Sequence, residues 1–231
     1  MALIKGSDLV SKASGKLGGH VYSHNKSGQY VRSHTVPVNP RTTLQVTVRT
    51  LMQMLVAYWN ETLDAAQRGG WNTFASNVTI LNRLGDAIHM SGFNMFLRTN
   101  VAAMKAGITL IEDAPGEFLL PGADPYFAAT ASAATQNMSV VFNPAGDWAN
   151  EVGGYLFVTT GKPKNTPVSF FNGPWRYAGK VSGAASPPSS PATIASSFTL
   201  VAGQKVWLFA RILRADGRLG EPFRCNLTVG S

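Results

Sequence analysis

The chain has a single cysteine in 231 residues, Cys225, which excludes an intramolecular disulfide and any zinc cluster built from cysteines of one chain. It is also poor in charge. Only 14% of residues are Asp, Glu, Lys or Arg, against the usual quarter, so Ser, Thr, Asn, Gln and Gly must form much of the surface. Acids are the scarcer sign, with 12 against 20 basic residues. No stretch approaches eighteen apolar residues, so no membrane span is expected, and the opening MALIKGSDLVSKASGKLGG lacks the apolar core of a secretory leader. There are four histidines, and three of them (His20, His24 and His34) fall in a Gly/Ser-rich opening unsuited to a preorganised nucleophile and base. No phosphate loop, zinc motif or carboxylate pair stands out. The expectation is a non-enzymatic protein without catalytic residues, cofactor or metal. The acidic trio Glu112, Asp113 and Glu117 lacks the spaced ligands of a calcium loop and reads as a solvated face.

What charge there is lies unevenly. Residues 1–50 carry Lys5, Lys12, Lys16, Lys26, Arg32, Arg41 and Arg49 against Asp8 alone, a net of +6 within a chain of formal charge +8. A basic N-terminal arm meets either an acidic neighbouring protein or nucleic acid. Within it, HVYSHNKSGQYVRSH reads as a β-hairpin turning near Gly28, and VPVNP holds the chain extended before a helix capped by Thr42 or Thr43. Leu44, Val48, Leu51, Leu55 and Tyr58 or Trp59 recur at helical spacing and predict one inward stripe. A second helix capped by Thr62 or Asp64 is expected to loosen or end at Gly69-Gly70, with Trp71, Phe74 and Val78 continuing the apolar face in a third. Residues 82–89 read as mixed loop. Ser91 caps a last helix that stops at Gly107.

From Tyr126 onward the texture becomes that of strands: 127–131, 138–142, 155–160, 168–171, 176–180, 195–200, 205–212 and 223–229, the last two joined around Asp216-Gly217. The resulting plan is an α+β fold with its parts segregated. It has an extended basic arm and hairpin (1–40), a helical domain (41–107), a linker (108–125) and an antiparallel β-sandwich (126–231). The run FFNGPWRYAGK gathers rings around Arg176, so Trp175 and Arg176 are interface candidates besides serving core and turn. Lys12, Lys16, Lys26, Tyr30, Arg32 and Arg41 are the candidates on the arm.

The segments GKLGGHVYSHNKSGQYVRSHTVPVNPRTTLQ, WNETLDAAQRGGWNTFA, NRLGDAIHMSGFNMFLRTN, FFNGPWRYAGK and RADGRLGEPF together resemble a family of poorly characterised proteins of tailed phages, prophages and some bacterial genomes. The likeness covers nearly the whole chain. Its most specific marks are Gly28 with Tyr30 and Arg32, Asn39-Pro40-Arg41-Thr42 with Gln45, and Gln67-Arg68 before Trp71. The resemblance implies a virion component of head or tail, assembled in the host cytoplasm, whose terminal domain is similar to immunoglobulin or fibronectin type III modules. It implies capsid or tail subunits as partners, a homo-oligomer, and a decoration, stabilising or connector role. Two alternatives stay open: a DNA-associated phage protein making non-specific contacts through the arm, and an adhesin whose sandwich binds a glycan.

Overall fold

The computed structural model describes residues 2–4, 13–26, 28–82 and 84–231. It is a mixed α and β structure whose sheets are all antiparallel.

The described N-terminal residues hold more strand than the expected hairpin. Strands β1 (Ala2–Ile4), β2 (Gly15–Leu17), β3 (His20–Asn25) and β4 (Gly28–Ser33) form one sheet in the order β1-β4-β3-β2. The expected hairpin is its centre, with Asn25 opposite Gly28. The flanking strands add partners that a two-stranded hairpin needs in water.

Helix α1 (Thr43–Ala57) opens on a capping box, in which the Thr42 hydroxyl accepts from the Gln45 amide and the Gln45 side chain returns to Thr42 N–H. It ends in one π-helical turn, Tyr58–Thr62. Helix α2 (Ala65–Asn77) repeats the device with Asp64 and Gln67. Contrary to expectation, α2 runs straight through Gly69-Gly70, so Trp71 and Phe74 belong to it and no separate third helix intervenes. The reason lies outside the helix: a Cβ added to Gly70 would stand 3.4 Å from Ala114 Cβ, so small residues there let the segment after α3 pack closely. The expected loop at 82–89 is tied at its base by β5 (Ile80–Leu81) and β6 (Ala87–Ile88). Ser91 caps α3 (Gly92–Lys105), and Gly107, at φ +69°, ends it.

Leu55, Leu63, Trp71, Phe74, Met95 and Phe96 form the helical core, with Trp71 edge-on to both Phe74 and Phe96. Residues 108–125, expected as a linker, bind this core as a strap. Asn100 of α3 accepts from Ile111 N–H at 2.7 Å and donates to Ile111 C=O at 3.0 Å, while Trp71 Nε1 donates to the Glu112 carbonyl at 2.7 Å.

Strands β7 (Ala128–Ala131), β8 (Asn137–Val141), β9 (Tyr155–Gly161), β10 (Trp175–Ser182), β11 (Ala192–Ala195), β12 (Lys205–Leu213) and β13 (Phe223–Thr228) follow. They form two sheets, ordered β10-β9-β12-β13 and β11-β8-β7. Alternation sends Leu156, Val158, Val206, Leu208 and Ala210 of one sheet, and Met138, Val140 and Ile194 of the other, into a shared core. Two expected strands differ. Residues 168–171 form no strand; they fold back over the sheet so that Phe171 stacks on Trp207 at 5.1 Å. The strand placed at 195–200 lies earlier, at 192–195, because Ala192–Ala195 is the stretch in register with Asn137–Val140.

The other face of the four-stranded sheet meets α3. Ala103 of the helix and Ala106 at its C-terminal cap, Phe157 of β9, Leu213 at the end of β12 and Leu219 in the segment after it make a separate buried cluster, the alanines letting the helix come close. Arg98 donates to the Leu219 and Gly220 carbonyls and pairs with Glu221, so the segment 214–221 wedges between α3, the strap and the sheet. It is not the simple turn expected around Asp216-Gly217: β12 and β13 pair only as far as Ala210 with Phe223, and Leu213 bridges to Leu219 instead.

Candidate functional site

Two surfaces hold the candidate residues. On the N-terminal sheet, Val21 of β3 is the cross-strand partner of both Lys16 on β2 and Arg32 on β4. That register sets Lys16, Val21 and Arg32 in one row on one face, and Tyr30, two residues before Arg32, shares it. Lys16 and Arg32 are exposed and Tyr30 is half-buried. Lys26 lies in the exposed turn between β3 and β4, while Lys12 falls outside the described residues. Arg41 sits just before the Thr42 cap at φ 49°, a left-handed conformation uncommon for a residue with a side chain. Asn39 Oδ1 accepts from Arg49 Nη1 at 2.8 Å and ties the extended 35–40 segment to α1.

Helix α1 departs from expectation. Leu44 and Val48, assigned to an inward stripe, are exposed (62% and 37%), and Leu55 is the helix's one buried residue. Val46, Met54 and Val56 are exposed on its other sides, as are Val36 and Val38 in the segment before it. Its only charge is Arg49. The sequence carried a signal for this: residues 44, 46, 48, 51, 52, 54, 55 and 56 are all apolar, which is more than one stripe can hold.

The second surface is the outer face of β10-β9-β12-β13. Trp175 points outward there, half-buried, with Phe171 edge-on at 4.8 Å, Phe209 edge-on at 5.0 Å and the Arg224 guanidinium 5.5 Å from its centroid. Arg176 follows on the strand and so projects to the opposite side, where its guanidinium lies 4.6 Å from the Phe198 ring. The two neighbours in sequence are therefore not brought together. Phe171 reaches Trp207 because position 161 is glycine: a Cβ there would come within 2.3 Å of the Phe171 ring.

The acidic trio is exposed but engaged. Glu112 accepts from the Tyr58 hydroxyl, an interaction that raises the tyrosine pKa above its ordinary value; Asp113 accepts from Gln67 Nε2 at 3.0 Å, and Glu117 pairs with Arg218. His89 Nδ1 lies 3.1 Å from the Val78 carbonyl. Among the described residues no three His, Cys, Asp or Glu side chains are grouped so as to hold a metal ion, and no helix is long and apolar enough to cross a membrane. Burial pushes the Cys225 thiol up to about 11.

No family model, curated protein or solved structure gives a significant match to this chain.

Proposed function

We propose that the chain is a non-enzymatic structural subunit of a tailed-phage virion. It assembles with capsid or tail subunits and with further copies of itself, in a decoration, stabilising or connector role, after synthesis in the host cytoplasm. The observation that carries this reading is α1. A helix apolar on several sides is stable when enclosed, and the first two turns of α1 are exposed throughout. Fully burying one Val or Leu side chain contributes about 1.5–3 kcal/mol. Leu44, Val46, Val48, Val36 and Val38 together therefore supply a strong driving force for association. Lys16, Arg32 and Arg41 suit an acidic protein neighbour beside that apolar surface.

The C-terminal region fits the same role. Its two sheets share one core and support a β-sandwich of immunoglobulin or fibronectin type III kind, a module used for packing. The rings around Trp175 are occupied by one another, which favours cohesion over a glycan platform.

The test is incorporation. Particles purified from producing cells should contain the chain in a fixed ratio to the major subunit, and the variant L44D/V48D, with its helical circular dichroism unchanged, should be lost from them. Folded protein that stays in the lysate and never co-purifies with particles overturns the proposal. Strongly salt-dependent binding to random duplex DNA, with a slope reporting several released counterions, would move the role to DNA association.

A further inference from the structure

Between α3 and the outer face of the four-stranded sheet lies a cavity of about 190 Å³ that none of the contacts described above fills. Its floor is set by strand register. Thr159 of β9 stands opposite Tyr177 of β10 on one side and Phe209 of β12 on the other; in the next row Phe157 of β9 stands opposite Arg211 of β12. Arg98 and Lys105, seven residues apart on α3 and hence on one side of it, form the wall.

The charges in this cavity do not balance. Arg98 is fully engaged, by the Leu219 and Gly220 carbonyls and by Glu221 Oε1 at 2.7 Å. Glu221, half exposed, pairs with Arg98, and its charge also reaches Arg211. The Arg211 guanidinium forms no hydrogen bond or ion pair with any described residue, and its Nε is buried without a partner. The Lys105 ammonium has no such partner either and is exposed to solvent. Removing a guanidinium from water without a hydrogen-bonded anion is costly, and the neighbouring positive charge of Arg98 adds to the cost. Burial and Arg98, opposed only in part by Glu221, push the Arg211 pKa down to about 10. The two Nη groups, which are not enclosed as Nε is, present the end-on fork that a planar carboxylate takes in two parallel hydrogen bonds. The surroundings of that fork are apolar: Phe157 is buried, and Tyr177 and Phe209 are partly so.

We infer that this cavity binds a monocarboxylate with a small apolar body, its carboxylate forked by Arg211 and neutralised further by Lys105, its body against Phe157, Tyr177 and Phe209. Such a carboxylate comes either from a free organic acid or from an acidic side chain that a neighbouring protein inserts between α3 and the sheet. The site is separate from the α1 surface and stands whether or not the chain proves to be a virion subunit.

Isothermal titration of the purified full chain with benzoate, acetate and a blocked dipeptide amide, acetyl-Glu-Phe, tests it. Saturable one-to-one binding of benzoate, tighter than acetate by about tenfold or more, is the result expected of a free-acid site. Saturation by the dipeptide alone identifies a side-chain ligand. In either case Arg211→Met should abolish binding, while Arg224→Met, on the same sheet face but outside the cavity, should leave it unchanged. Because Arg211→Met removes a half-buried charge that has no hydrogen-bonded partner, the variant should melt no lower than the parent, so loss of binding cannot be ascribed to unfolding. No saturable heat with benzoate or dipeptide, or equal affinity in Arg211→Met, overturns the assignment. A variant that does melt lower would also overturn it, since it would mean that the guanidinium is satisfied within the chain.

Discussion

Arg98 Nη2 of α3 lies 3.0 Å from the carbonyl oxygen of Gly220, a residue 122 positions further along the chain. The same guanidinium serves Leu219 and Glu221, and burial lowers its pKa from the ordinary arginine value. One side chain thus fastens the helical core to the end of β12. Replacing it by methionine keeps the packing volume but strands two carbonyls and a carboxylate. Charge-assisted hydrogen bonds contribute about 1.5–3 kcal/mol each when a partner is lost. Arg98→Met should therefore lower the urea-unfolding free energy by about 2–4 kcal/mol. Arg98→Lys should recover little of this, because an ammonium cannot span three acceptors arranged for a planar fork.

The start of α3 is fixed as tightly by a contact without charge. A Cβ on Gly92 would lie 2.3 Å from Asn72 Oδ1 and 2.6 Å from Asn72 N, and the second of these is backbone that cannot swing away. Gly92→Ala should force α2 and α3 apart and destabilise by about 1–3 kcal/mol, as overpacking commonly does. The contrasting substitution is Gly69→Ala in the middle of α2. It meets no atom within 4 Å, and it should stabilise by up to about 1 kcal/mol through helix propensity. Paired thermal melts of the two variants read both signs.

The glycines of α2 also mark where the sequence was legible and where it was not. Ser91, Gly107, Asp64 and the strands at 155–161 and 205–213 follow from local chemistry: a cap, a positive φ, an alternation of two. Gln45 and Gln67, noticed only as marks of resemblance, are the returning halves of two capping boxes. By contrast, Gly69-Gly70 reads locally as a helix end, and what overrides it is a strap 44 residues away at Ala114. Phe170-Phe171 reads as strand, but Phe171 finds Trp207 through a gap left by Gly161. For the candidate site, the aromatic and basic residue types were visible. The row Lys16–Val21–Arg32 was not, since register depends on all three strands at once, and nor was the cavity, which needs α3 laid across the sheet.

Thr160 is fully buried on the inner side of β9, and its Oγ1 has no hydrogen-bond partner. Its register partners are Leu208 and Arg176, and its surroundings are the shared core of the two sheets. An unsatisfied buried hydroxyl costs about 1–3 kcal/mol relative to an apolar group of the same shape. Valine matches threonine in shape and prefers strands. Thr160→Val should raise the denaturation midpoint, by the equivalent of about 1 kcal/mol, with the denaturant slope unchanged.

Alkaline pH sets two groups of the cavity against each other. Burial pushes Tyr177 up to about 12 from an ordinary 10.0, so its folded state holds the proton longer than its unfolded state. That contribution to stability is complete below pH 10 and is lost as pH rises towards 12. Arg211 has the opposite sign: its folded pKa, about 10, lies below the ordinary arginine value, so the folded chain releases its proton first and stability is regained over the same range. Arg98, lowered by burial, adds to the slope of Arg211, and Cys225, pushed up to about 11, adds to that of Tyr177, so each variant is read as its difference from the parent. In the parent the opposed slopes partly cancel. Relative to the parent, Tyr177→Phe should therefore shift the slope of unfolding free energy against pH upward between 10 and 12, and Arg211→Met should shift it downward there. Urea titrations of the parent and both variants at a series of pH values through that window measure the two slopes. Variants that bend the profile in the same direction would mean that the ring and the guanidinium do not share one low-dielectric cavity.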